Sequence, residues 1–165
     1  NKRMDMSDSK MRKITIDHEC FRLAFDRDVD YHDPHPLSTY LNVDSGDIIY
    51  VYEDDEDACT EGIPADDNRA MREGIEAAPE HYLEIPGLHH GDHHKILREF
   101  LDSDWTEDEE TRSEARNMYF GSIGGWKKSL DDKSIFESFC DFRDDKTKQL
   151  AVEFLRGNGI EPQWR

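Results

Sequence analysis

Basic residues are scarce beside acidic ones: 21 Lys and Arg stand against 39 Asp and Glu, a net charge of −18. That imbalance repels phosphate backbones at a distance and argues against direct nucleic-acid binding. Cysteine is scarce too. Cys20, Cys59 and Cys140 are odd in number and far apart, without the paired spacing that holds zinc, and they fit a reduced, cytoplasmic setting. No run approaches the ~20 apolar residues of a membrane span, and residues 1–13 lack the apolar centre of an export signal. Nucleophile elbows, phosphate-cradling glycine loops and dinucleotide fingerprints are missing as well. With 39 acids, no carboxylate pair can be singled out as an acid–base couple, so nothing here identifies a catalytic residue.

What is present is enough for one folded domain. The 165 residues are 35% hydrophobic and 36% charged, yet they include eight Phe, six Tyr and three Trp, which argues against wholesale disorder. We expect a flexible N-terminal segment over residues 1–13 and a single α+β domain over 14–165. The chain is organised around its last third. Ser134 is suited to a helix start, and Ile135, Phe136, Phe139, Phe142, Leu150, Ala151, Phe154 and Leu155 keep a helical rhythm. The polar stretch from Arg143 to Gln149 leaves open one long helix or two. Gly157-Asn158-Gly159 closes it, Ile160 folds back, and Pro162 forbids continuation. Cys140, at the edge of this apolar face, reads as a small buried hydrophobe.

Earlier segments supply a small antiparallel sheet of about three strands, packed with four to six helices. Asp17 caps a short helix carrying Cys20, Phe21, Leu23, Ala24 and Phe25, and residues 28–36 are turn material. The runs around Tyr40 and Tyr50 alternate about Asp44-Ser45-Gly46-Asp47, which predicts a hairpin near 38–52 with Gly46 at positive φ. A third strand is expected near 81–85, ended by Pro86. Asn68 to Ala77, with Met71 and Ile75 inward, predicts a helix. Asp92 is expected to cap another, and Thr106 with Glu109 to form a capping box opening the next. Gly121 to Gly125 reads as a helix-to-helix turn rather than a phosphate loop.

Two stretches invite a functional reading. The acidic runs Glu53-Asp54-Asp55-Glu56-Asp57 and Glu107-Asp108-Glu109-Glu110 are candidate contacts for a basic protein partner. The first is expected to be an extended, hydrated loop; the second also suits the positive end of a helix dipole. These features make a non-catalytic protein-binding or regulatory module the leading function. A surface that imitates the phosphate array of DNA and captures a DNA-binding protein is the alternative. The second stretch is Gly87 to Lys95, where His89, His90, Asp92, His93 and His94 offer ligands for a divalent transition metal, and with it a metal-dependent enzyme. Gly91 and a capping Asp92 predict a turn that keeps the two histidine pairs off one helix face. No other cofactor is expected.

Three landmarks together carry a resemblance: the hairpin Tyr40-Leu41-Asn42-Val43-Asp44-Ser45-Gly46-Asp47-Ile48-Ile49; the strand Tyr82-Leu83-Glu84-Ile85-Pro86; and Gly124-Gly125-Trp126-Lys127-Lys128-Ser129-Leu130 followed by Phe139, Phe142-Arg143, Ala151, Phe154-Leu155 and Gly159-Ile160. In this order they resemble the bacterial uncharacterised protein family (UPF) 0158. The resemblance implies a shared fold and carries no activity, cofactor or catalytic residue. The histidine-rich turn and the acidic loop after Tyr52 stand outside that pattern.

Overall fold

In the computed structural model, which describes residues 11–27 and 35–165, the run around Tyr40 becomes the middle strand of a three-stranded antiparallel sheet. Strand β2 (Leu37–Asn42) lies between β3 (Ile48–Tyr52) and β4 (Tyr82–Ile85). Leu41 faces Ile48 on one side and Leu83 on the other. The two-residue period sends Thr39 and Leu41 inward, both fully buried. Between β2 and β3, the Asn42 side chain accepts hydrogen bonds from the backbone N–H groups of Asp44 and Ser45 at 2.8 and 3.1 Å, shaping the turn from within. Gly46 then takes φ 84°, as expected.

A second sheet was not foreseen. Strand β1 (Arg12–Ile16) pairs in parallel with β5 (Ile160–Trp164), Ile14 standing opposite Pro162. With only two strands each is an edge, which is where a proline lacking an N–H is tolerated. The proline therefore marks the start of a strand's second half rather than a mere stop to the helix before it. Arg12 and Lys13, expected in the flexible N-terminal segment, belong to β1. Residues 1–10, and residues 28–34 of the expected turn, lie outside the described residues. The hairpin loop sits directly on β1: a Cβ on Gly46 would fall 2.0 Å from the Thr15 carbonyl oxygen, and Arg12 pairs with Asp44 at 3.0 Å.

Seven α-helices occur among the described residues, one above the expected range: α1 (His18–Phe25), α2 (Asp55–Thr60), α3 (Ala65–Ala77), α4 (His90–Asp102), α5 (Glu109–Asn117), α6 (Ile123–Ser129) and α7 (Lys133–Gly157). The class is α+β, as the sequence implied. Asp17 caps α1 as expected, accepting from Cys20 N–H at 2.8 Å. Other starts differ by a few residues. Helix α5 is capped by Asp108 instead of Thr106. Helix α7 is capped by Asp132, to which the Ser134 N–H and hydroxyl both donate, so Ser134 is the donor and not the acceptor. Helix α7 is one continuous element of 25 residues. Gly124 and Gly125 lie within α6, and the turn is made earlier, by Gly121 at φ 92°. None of the described helices is long and apolar enough to cross a membrane.

The largest buried side chain is Trp126 on α6, whose indole N–H donates to the Ala115 carbonyl at 2.9 Å. Phe139 of α7 meets it edge-on at 5.5 Å, and Phe100 of α4 meets Phe139 at the same distance. Rings in these arrangements add attraction beyond the area they bury. Helix α1 joins the far end of α7 through Phe25 and Phe154, 5.8 Å apart.

Gly46→Ala is expected to destabilise the protein by about 2 kcal/mol or more in urea unfolding. A left-handed backbone and a carbonyl in the path of the new methyl act together.

Candidate functional site

The acidic run after Tyr52 is helical rather than extended. Asp54 accepts from Glu56 N–H at 2.7 Å and caps α2, so repulsion among the carboxylates is offset by the exposed N–H groups of a helix start. Asp55 turns inward. It accepts from Arg72 at 2.9 and 3.2 Å, from the Asn68 amide at 2.8 Å and from Arg69 at 3.3 Å. The Arg72 hydrogen bond, followed by that of Asn68, holds its carboxyl well below the usual carboxylate range. Asp55 thus joins α2 to α3, and a partner would find it already occupied.

Asn68 is a residue that sequence reasoning passed over. Only 2% exposed, it accepts from the Tyr52 N–H at 2.9 Å and donates to the Tyr52 carbonyl at 3.0 Å. One side-chain amide therefore imitates a neighbouring strand at the outer edge of β3. An asparagine among acids and arginines carries no sequence signal for this duty.

The other acids of the run face outward. Glu53, Asp54 and Glu56 line a shallow, open depression with Asp55, Ala65 and Arg69. The guanidinium of Arg69 is held by Asp66 at 2.8 Å as well as by Asp55. Asp57 instead meets His35, at 3.1 Å. In the second run, Asp108 caps α5, accepting from Glu110 N–H at 3.1 Å and the Thr111 hydroxyl at 2.7 Å. Glu109 pairs with Arg112, which also reaches Asp104 at 2.8 Å. Glu107 and Glu110 are exposed.

The histidine segment departs from expectation. Asp92 does not occupy the cap position: it lies in the first turn of α4 and accepts from His89 N–H at 2.9 Å. His90, His93 and His94 are all within the helix, so no turn divides the pairs. His90 and His94 share one face, with Nε2 atoms 2.9 Å apart. His94 is buried, and its Nδ1 is hydrogen-bonded to the Tyr119 hydroxyl. Burial holds this imidazole below its ordinary pKa, with His90 and Arg98 acting in the same direction. His93 does not share that contact; it is one of three groups, with Arg143 and Arg22, whose charge opposes the upward push of burial on the Asp26 carboxyl. Among the described residues, no three His, Cys, Asp or Glu side chains gather as a metal-binding group. The five candidate ligands are therefore not assembled around one point, and two of them, His90 and His94, are hydrogen-bonded to each other.

No protein-family model, curated protein or solved structure matches the chain.

Two outcomes follow from the Asp55–Asn68 junction. Asn68→Ala should cost about 2 kcal/mol in urea unfolding, because it removes the buried amide that bonds the Tyr52 N–H and carbonyl and the Asp55 carboxylate. Asp55→Asn should lower the urea midpoint at pH 7, with the gap from wild type narrowing as pH falls below 3.8. The folded carboxyl has the depressed pKa, so its contribution is present above the unfolded value and is lost as the pH drops towards the folded one.

Proposed function

We propose that this protein is a non-catalytic binding module that engages a basic protein partner through its acidic surface, with Glu53, Asp54 and Glu56 as the principal contacts and exposed Glu107 and Glu110 as a second patch. One observation carries the reading. In the depression at the start of α2, Arg69, the one cation among the described lining residues, is already bound by Asp55 and Asp66. An incoming lysine or arginine side chain would meet the exposed carboxylates of Glu53 and Glu56, with Asp54, the cap of α2, beside them. The net charge of −18 favours such a partner at long range. Kinship with uncharacterised protein family (UPF) 0158 would extend the fold to bacterial relatives and adds no activity to this reading.

The test is association with an arginine-rich peptide followed by fluorescence anisotropy. The on-rate should fall roughly tenfold between low and physiological salt, since screening removes the steering. Glu53→Gln with Glu56→Gln should slow binding several-fold more than Glu137→Gln with Asp141→Asn, an equal change of charge on the outside of α7. Rates that are flat with salt, or equal for the two double variants, would sink the proposal. Displacement of the protein from a DNA-binding partner by duplex DNA would instead favour mimicry of DNA.

A further inference from the structure

The paired imidazoles of α4 have a chemistry that the acidic surface leaves unused. His90 and His94 are one helical turn apart, with ring centroids at 4.3 Å and planes inclined by 71°, so their Nε2 atoms converge at 2.9 Å. Two imidazole nitrogens each about 2.1 Å from one ion stand about 3.0 Å apart when they subtend a right angle at it. The two nitrogens share a hydrogen bond in the metal-free protein, and their separation is also close to that of two adjacent ligands at a right angle.

We infer that His90 and His94 form a bidentate site for a borderline transition-metal dication that accepts ligands at a right angle, copper(II) or nickel. Imidazole nitrogen selects these ions over magnesium and calcium, which demand oxygen. Three features of the site support binding. His94 is 9% exposed and held by its surroundings, so little side-chain freedom is lost on its side. His90 is exposed, which opens the pair to solvent. Tyr119 is the orienting group: when its oxygen accepts the Nδ1–H of His94, the proton is kept off Nε2 and the lone pair points at His90. Asp92 takes no part, because its carboxylate is committed to the His89 N–H. The site does not depend on the partner-binding reading. It asks that the His90 Nε2–H, donated to His94 in the metal-free protein, give way to the metal, with the His90 proton moved to Nδ1.

Tag-free protein titrated with copper(II) or nickel against a chromophoric chelator should take up one equivalent, with copper(II) bound more tightly. His90→Gln should weaken binding at least tenfold, with far-UV circular dichroism of the metal-free variant checking that the fold is kept. Tyr119→Phe should weaken it on the order of tenfold, as loss of an orienting partner does. His93→Gln should have no effect. Failure to saturate at one equivalent would overturn the inference, and so would binding that survives His90→Gln or is abolished by His93→Gln.

Discussion

The fold depends on the burial of Trp126. A seven-residue helix containing two glycines has no independent stability, and α6 exists because its one large side chain is enclosed by Phe139, Phe136 and Phe100. The indole N–H would be a costly orphan in that setting, and the Ala115 carbonyl at the end of α5 accepts it. One residue therefore fixes the relation of α5, α6, α7 and α4. The position of α4 in turn decides where His90 and His94 stand, and Tyr119, which follows α5, reaches His94 because α5 is anchored by the same tryptophan.

Excess negative charge is handled locally. Asp17, Asp54, Asp108 and Asp132 each cap a helix with the side-chain oxygen on a backbone N–H. Carboxylates at those positions face the positive ends of helix dipoles, so part of the net charge supports the structure that it would otherwise strain. Arginines then divide the remaining acids into two populations. Asp55, Glu109 and Glu161 are engaged by Arg72, Arg112 and Arg156. Glu53, Glu56, Glu107 and Glu110 are turned to solvent, and the functional proposal concerns these.

Periodicity made the hairpin, the third strand, α1 and most of α7 legible, because each has a run of apolar residues at the period of its own secondary structure. The acidic run was misread for a physical reason. Repulsion between carboxylates is visible in sequence, whereas the two arginines and one asparagine that relieve it come from α3, more than ten residues further on. Sheet β1–β5 was hidden by distance and by a proline inside its second strand. At the histidines, the reading went wrong over a cap: placing Asp92 at the helix start pushed His90 out of the helix and concealed the one pair whose side chains meet. Asn68 offered no pattern to read.

The pairing of β1 with β5 joins Arg12–Ile16 to Ile160–Trp164 in parallel, across nearly the whole described chain. During synthesis the first of these strands leaves the ribosome long before its mate exists. It waits, unpaired, until residues 160–164 have emerged, and the Gly46 loop that rests on it waits as well. The β1–β5 sheet therefore cannot close until the chain from Arg12 to Trp164 has been made, and a chaperone that shields Ile14 and Ile16 in the interval has a defined period in which to act.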